Sequence, residues 1–167
     1  GKLLEDLYRY TLRTLGGHEP SPDAQVEASK REALVKLALY SLPFEAHKPL
    51  WDTLDVSYFM RHEAADIAWH TRHVSRFMAE AELRAQIPQT LVRARMSPWE
   101  EGLEVMVYTP DQSDLFARIC GYFDQAGFSI LDARIHTARN GYALDTFQLI
   151  APNFVICFAS EPSMFAE

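Results

Sequence analysis

Residues 103–150 decide the fold of this chain, and they read LEVMVYTPDQSDLFARICGYFDQAGFSILDARIHTARNGYALDTFQLI. The apolar run over 103–108 predicts a β-strand, and a polar loop over 109–114 follows it. A helical pattern comes next, and then two further strand patterns separated by a turn. The predicted order is β-loop-α-β-turn-β, which is the first two-thirds of a ferredoxin-like βαββαβ unit.

The helix and the turns of this stretch carry their own local signals. Helical spacing over 113–126 places an apolar stripe on one face, made of Leu115, Phe116, Ile119, Cys120 and Phe123. Asp111 or Ser113 is expected to cap the first turn of this helix, and Gly127 is expected to end it in the left-handed conformation. Asn140-Gly141 is typical of a hairpin turn between the last two strands.

The preceding part of the chain is predicted to be helical. Amphipathic patterns indicate helices over 2–15, 24–40 and 63–84, with a short helix or turn over 50–60. The passage QTLVRARM (89–96) is irregular or strand-like, and strand propensity rises after Pro98. We therefore predict an α+β chain with a helical segment over 1–95 and a ferredoxin-like unit over 99–152.

The end of the chain resembles its middle. Residues 153–167 (NFVICFASEPSMFAE) align with residues 104–118 (EVMVYTPDQSDLFAR), and both patterns indicate a strand, a polar loop and the start of a helix. The two stretches begin 49 positions apart in the sequence, but a βαββαβ unit needs about 70 residues. Either residues 153–167 begin a second unit and the first is incomplete near 152–154, or residues 154–159 form the final strand of the first unit.

Composition excludes several classes of function. The net charge of −7 argues against a nucleic-acid-binding surface. No apolar run approaches the ~20 residues that span a bilayer, and no signal peptide opens the chain. Cys120 and Cys157 lie in apolar patterns without metal-ligand spacing, which indicates reduced thiols in a cytoplasmic protein. The chain begins without methionine, inside a helical pattern, and we interpret it as part of a longer protein.

One helical face carries a cluster of potential metal ligands. His62, Asp66, His70 and His73 share a face in helical spacing, and a divalent metal with hydrolytic chemistry is one interpretation of that face. The alternative is a surface face on which Asp66 pairs with His62 or His70. The neighbouring aromatic residues are expected to be core, namely Trp51, Tyr58, Phe59 and Trp69.

No recognisable catalytic motif is present in the sequence. It contains no G-x-S-x-G elbow, no Walker loop and no G-x-G-x-x-G, so we assign no catalytic and no metal residues. The loop over 109–114 is the stronger candidate for a binding site, since it directly precedes a helix N-terminus. Free N–H groups at that position favour an anion such as a carboxylate, and Asp111 or Asp114 could pair with an ammonium group. Plain helix capping is the alternative.

The same region resembles the first ACT domain of the bacterial PII uridylyltransferase/uridylyl-removing enzymes. That family's ACT segment shows a D-x-x-x-L-F loop and helix, a G-x-x-I/V-x-x-A/D-x-I strand and a T-x-x-G-x-A-x-D-T-F strand. The matching residues here are Asp111, Leu115, Phe116, Gly127, Ile130, Asp132, Ile135, Thr137, Gly141, Ala143, Asp145, Thr146 and Phe147. Upstream, KLLEDLY (2–8), YFMRH (58–62) and IAWHTRH (67–73) are similar to the segment between the family's hydrolase core and its ACT pair, and ASEPSMFAE (159–167) is similar to the start of its second ACT domain.

The resemblance implies a regulatory role rather than catalysis. In the family, ACT domains bind glutamine and set the balance between uridylylation and deuridylylation of the PII protein by two catalytic domains, for which magnesium is expected. Neither catalytic signature occurs here, so no cofactor is expected in this chain. By the same resemblance the ligand-binding residues are Asp111, Gln112, Ser113 and Asp114 from the loop, with Ser129 from a neighbouring unit, and self-association through ACT units is expected. A third interpretation is a structural coupling module that binds no ligand.

Overall fold

The computed structural model describes residues 1–16, 21–83, 89–99 and 101–151. Five helices precede the sheet in these ranges: α1 (Lys2–Gly16), α2 (Pro22–Leu37), α3 (Lys48–Trp51), α4 (Val56–Arg61) and α5 (Ala64–Leu83). The elements that follow are β1 (Leu91–Met96), β2 (Leu103–Pro110), α6 (Leu115–Gln125), β3 (Ser129–Arg134) and β4 (Tyr142–Ile150). The predicted α+β class with an ACT-like unit is confirmed.

The four strands form one antiparallel sheet in the order β1-β2-β4-β3. Strand β2 pairs with β4 over its whole length, from Leu103↔Leu149 to Pro110↔Tyr142. On its other side β2 pairs with β1, from Leu91↔Tyr108 to Met96↔Leu103. The place beside the first strand belongs to the last strand of a βαββαβ unit. Here β1, which comes before the unit in sequence, occupies that place.

Each face of the sheet packs against a different layer. Helix α6 covers one face, where Phe123 packs with Val105, Val107, Phe147 and Leu149. The opposite face carries Met106, Tyr108 and Leu144, and it packs against the buried side chains of the helical part. Alternation along β2 explains this division, since successive side chains of a strand point to opposite faces. The sheet is therefore the shared wall of two hydrophobic cores.

The helical part has its own aromatic centre. Trp51, Tyr58 and Phe59 are buried, and Trp69 is partly buried against them, so the predicted core role is confirmed. Helix α1 does not contribute its apolar stripe to this core, because Leu3, Leu4 and Leu7 are exposed.

The boundaries predicted from the sequence differ from the structure at β1 and cannot be compared with it at the end of the chain. Strand β1 lies within the predicted helical segment 1–95, yet it is an integral strand of the sheet. The segment 153–167, predicted to begin a second unit or to supply a final strand, lies outside the described residues, as does the 152–154 region where the first unit was expected to be incomplete.

Glycines set the turns that give the unit its path. Gly127 has φ +83° and ends α6 as predicted, while the Phe128 N–H donates to the Phe123 carbonyl at 2.9 Å. Gly141 also has φ +83°, and its N–H donates to the Ala138 carbonyl at 3.1 Å in the predicted hairpin. Both positions require a conformation that glycine adopts without a steric penalty.

We expect Gly102→Ala to destabilise the fold strongly. Gly102 has φ +109°, and a Cβ atom there would lie 2.1 Å from the Leu149 carbonyl oxygen. The backbone conformation alone costs about 1–3 kcal/mol for a residue with a side chain, and the clash adds to it. Gly121→Ala is the control, because it lies inside α6 with open space around it and should gain about 1 kcal/mol. Urea unfolding measures both, and equal stability of the two variants would contradict the assigned conformation.

Candidate functional site

The predicted ligand loop lies exposed at the N-terminus of α6. Asp111, Gln112, Ser113 and Asp114 are all exposed. Asp114 is the N-cap residue, but its side chain caps no N–H group, so the expectation that Asp111 or Ser113 caps the helix is not met in the described geometry. The Gln112 backbone carbonyl accepts from Leu115 N–H at 3.1 Å, and the Gln112 side-chain oxygen accepts from Arg118 at 3.2 Å. The loop thus leaves the first turn of α6 open to solvent.

Ser129 lies at the other end of the sheet from this loop. It pairs with Ile150, next to the Leu103 end of β2, whereas the loop follows Pro110 at the opposite end. At about 3.3 Å per residue, the length of β2 separates them by roughly 25 Å. One copy of the chain therefore does not bring Ser129 to the loop, and the two can meet only between neighbouring units.

Asp145 is a buried carboxyl beside the loop that the sequence analysis did not single out as a site residue. It lies on β4 with 1% of its surface exposed, and one carboxylate oxygen accepts from the His136 N–H at 3.3 Å. Burial, and then the nearby negative charge of Asp111, raise the pKa of Asp145 to about 6. An acidic residue within a predicted central strand was the sequence signal that could have identified it.

A second cluster of charged groups joins the helical part to the sheet. Arg95 on β1 donates to Glu104 from Nε at 3.1 Å and from Nη2 at 2.9 Å, and Nη2 also donates to Asp66 on α5 at 2.6 Å. The Trp99 indole N–H donates to the same Asp66 carboxylate at 3.1 Å. Asp66 and Glu104 are 5% and 3% exposed, so one guanidinium serves two buried carboxylates. We call Asp66, Arg95, Glu104 and Trp99 the ion cluster.

Tyr58 and His70 extend this cluster into the helical core. The Tyr58 hydroxyl oxygen lies 2.7 Å from His70 Nδ1, and both side chains are fully buried. Among the described residues His70 Nε2 has no hydrogen-bond partner, and it lies 3.9 Å from a Glu104 oxygen, which is too long for a hydrogen bond. Burial opposes the charge on Glu104, but His70 and Arg95 outweigh it and lower the pKa of that carboxyl. Burial and the charges of Asp66 and Glu104 raise the pKa of Tyr58 well above its usual value.

Helix α4 ends before His62, so His62 does not share a helix with Asp66 and His70 of α5 as the spacing had predicted. The face of α5 that carries Asp66 and His70 is an interface, and the expectation of a surface face was wrong. His62, Asp66 and His70 are buried against the sheet, and Asp66 pairs with Arg95 and Trp99 rather than with a histidine. Burial, and then the neighbouring His70, lower the pKa of His62 to about 2. His73 stands apart, in edge contact with Trp69 at 5.7 Å. Within the described ranges, no three His, Cys, Asp or Glu side chains are grouped so that they could hold a metal ion.

The hairpin tip is also part of the interface. Arg139 Nη2 donates to the Leu54 carbonyl at 3.0 Å, and the Arg139 backbone N–H donates to the Thr53 carbonyl at 2.8 Å. His136 likewise contacts the Tyr58 ring at 5.4 Å between centroids. The sheet is therefore bound to the helical part at several points along β1, β2 and the β3–β4 hairpin.

Comparison with known proteins identifies the chain. A family model described as "Uridylyltransferase GlnD fifth domain" matches residues 21–73, from the start of α2 into α5. A bifunctional uridylyltransferase/uridylyl-removing enzyme of Ralstonia nicotianae is 55% identical over 151 residues, which are 90% of this chain and 17% of that protein. The chain belongs to this enzyme family and corresponds to one segment of its proteins.

Other members of the uridylyltransferase/uridylyl-removing enzyme family match the chain to a similar extent. The proteins of that name from Burkholderia mallei and Burkholderia thailandensis are each 53% identical over 147 residues, covering 88% of this chain and 16% of their own length. The chain thus spans about a sixth of the length of these relatives. No solved structure matches it. In the part of this segment that the structure describes, no helix is long and apolar enough to cross a membrane.

Proposed function

We propose that this chain is the glutamine-sensing regulatory part of a uridylyltransferase/uridylyl-removing enzyme. In this proposal, glutamine binding shifts the whole enzyme between uridylylation and deuridylylation of the PII protein in the cytoplasm. Magnesium serves the catalytic domains of the whole enzyme. The observation that carries the proposal is the exposed loop over 111–114, which precedes an α6 N-terminus without a side-chain cap.

The chemistry of this loop suits a free amino acid. The N–H groups of the first turn of α6 carry a partial positive charge and can receive a carboxylate. Asp111 in the loop can accept hydrogen bonds from an ammonium group. Ser129 from a neighbouring unit, at the far end of its own sheet, could complete the site if two units associate.

The interface between the sheet and the helices supports a regulatory role. The ion cluster and the Arg139 contact both join the ACT-like unit to the segment that matches the family model. A change in the position of the sheet must therefore move charged groups that α5 also holds. The same contacts would equally serve a coupling module without a ligand, and titration distinguishes these two functions.

We expect Asp111→Ala to weaken glutamine binding by ten- to hundredfold. Removing one charge-assisted hydrogen bond costs about 1.5–3 kcal/mol. Asp124→Ala is the matched control, since Asp124 is an exposed acid near the opposite end of the same helix. Calorimetric titration of the 167-residue chain measures both variants, with glutamate as the competing ligand.

The titration has two informative failures. Wild-type protein that binds no glutamine supports the coupling module and overturns the sensing proposal. Binding that is equally strong in wild type and Asp111→Ala keeps glutamine as the ligand but removes the loop as its site.

A further inference from the structure

Helix α1 turns an apolar stripe away from the rest of the described chain. We call the α1 stripe four large side chains that are between 61% and 85% exposed: Leu3, Leu4, Leu7 and Tyr8. At 3.6 residues per turn, these four side chains share an arc of about 140° on one side of the helix. Lys2 and Glu5 lie outside that arc and line a cleft whose other walls are α5 and the sheet.

This orientation is the reverse of that of an ordinary amphipathic helix, which buries its apolar face. Helix α1 has 15 residues, and an isolated helix of about that length is only marginally stable in water. A contiguous apolar patch of more than a few hundred Å² marks an interaction surface on a soluble protein. Three leucines and a tyrosine on adjacent turns make a patch of this order, so we expect a partner to cover it.

The last residues of the chain begin beside this helix. Gln148 on β4 lines the same cleft as Lys2 and Glu5, and the described chain ends shortly after it, at Ala151. Residues 152–167 follow, and an extended segment of that length spans roughly 50 Å. The α1 stripe occupies only about 8 Å of the helix axis. The segment after Ala151 is therefore long enough to reach every residue of the stripe.

This segment carries an apolar run of its own, FVICF (154–158). The run cannot pair beside β4, because β2 and β3 occupy both sides of that strand. Strand β1 occupies the other side of β2, which is where the final strand of a βαββαβ unit would lie. A segment tethered next to a surface meets it at an effective concentration of about the millimolar range. The tether therefore favours this run over a second copy of the chain as the partner of the α1 stripe.

We propose that the α1 stripe is the docking surface for residues 154–158 of the same chain. The contact is apolar on both sides, with the aromatic and aliphatic side chains of the run covering Leu3, Leu4, Leu7 and Tyr8. It joins the first helix of the chain to the segment that follows the sheet. The proposal does not depend on glutamine binding at the ligand loop.

The test measures hydrogen exchange of the α1 backbone amides, residues 5–11, in the 167-residue chain by nitrogen-15 NMR. We expect these amides to be protected in the wild type. Leu7→Gln and Phe158→Gln should each accelerate their exchange by ten- to hundredfold, which is the effect of losing one large buried apolar side chain. The double variant should fall well short of the product of the two effects, because both substitutions act on one contact.

Matched controls lie on the same two segments. Asp6→Gln changes an exposed residue of α1 outside the stripe, and Ser160→Gln changes a residue outside the apolar run. Each should alter the exchange rates by less than about twofold. Protection of α1 should also be the same at high and low protein concentration, since the contact lies within one chain.

Three results would overturn the proposal. Exchange of the wild-type α1 amides as fast as in an unstructured peptide would mean that nothing covers the stripe. Protection that rises with protein concentration and survives Phe158→Gln would identify a second copy of the chain as the partner. Acceleration by Phe158→Gln that is confined to the amides of β1 or β3 would place residues 154–158 at an edge of the sheet instead.

Discussion

Arg95→Met will lower the free energy of unfolding by about 3–5 kcal/mol. The substitution leaves Asp66 and Glu104, two carboxylates that are 5% and 3% exposed, without the guanidinium that pairs with both. A buried charge that loses its partner costs about this much, because burial keeps water from replacing the lost cation. The methionine side chain keeps much of the packing volume against Trp69, over whose ring the Arg95 guanidinium lies at 4.1 Å. Urea unfolding monitored by tryptophan fluorescence measures the loss.

Two further variants separate charge from geometry at this position. Arg93→Met changes an exposed arginine of the same strand, whose side chain donates to the neighbouring Val92 carbonyl and pairs with no described carboxylate, and it should cost less than about 0.5 kcal/mol. Arg95→Lys keeps the charge but cannot reproduce the fork that reaches two carboxylates, so it should fall between the two. Equal stability of Arg95→Met and Arg93→Met would show that the ion cluster does not hold the sheet to the helices.

The ferredoxin-like elements were predictable because their signals are local. The apolar face of α6 repeats with helical spacing, and Gly127 and Asn140-Gly141 mark the turns on either side of β3. The upstream helices were predictable for the same reason, with boundaries that shifted by a few residues. Such patterns indicate which element forms, since they depend only on neighbours in sequence.

The partners of these elements were not predictable from the same patterns. Helical spacing predicted one face for His62, Asp66 and His70, but His62 lies outside α5, and the spacing did not reveal that Asp66 and His70 are buried against a sheet. Strand β1 pairs with β2 through contacts that no short motif encodes, and its sequence was compatible with an irregular passage as well as with a strand. The importance of Arg95 follows from that pairing, because the register brings it opposite Glu104. Long-range contacts decide which charges are buried, and a single sequence does not display them.

Asp145 illustrates the same limit inside a recognised motif. The sequence showed an acid within the β4 pattern, and the resemblance included it, but neither revealed that it is buried beside Asp111. A carboxyl held in an environment that disfavours its charge is a frequent feature of functional sites. Its position next to the ligand loop makes it the residue most worth testing there.

Asp145→Asn will stabilise the protein by about 2–3 kcal/mol at pH 8, and the gain will shrink below about 1 kcal/mol near pH 4. The folded-state pKa of about 6 lies above the ordinary 3.8, so the folded protein holds the proton more tightly than the unfolded chain. Stability from this group is therefore full below the unfolded pKa and is lost as the pH rises through about 6. Asparagine has no charge to bury, and its side-chain oxygen can still accept from the His136 N–H. His62 is present in both proteins, so its own pH dependence cancels in the difference.

The decisive measurement compares urea unfolding of wild type and Asp145→Asn at pH 4, 6 and 8, with the exposed Asp124→Asn as control. A gain that does not change with pH would mean that the Asp145 charge is not what destabilises the fold.

The pH dependence of glutamine binding connects the stability of the protein with the proposed function. If a glutamine ammonium group approaches the loop, it favours the ionised form of Asp145, and binding to wild type should strengthen as the pH rises through 6. The Asp145→Asn protein should bind glutamine more weakly and without that pH dependence, because the charge that responds to the ligand is gone. A variant that is more stable at pH 8 and also binds more weakly would show that the carboxyl is retained for the ligand rather than for the fold.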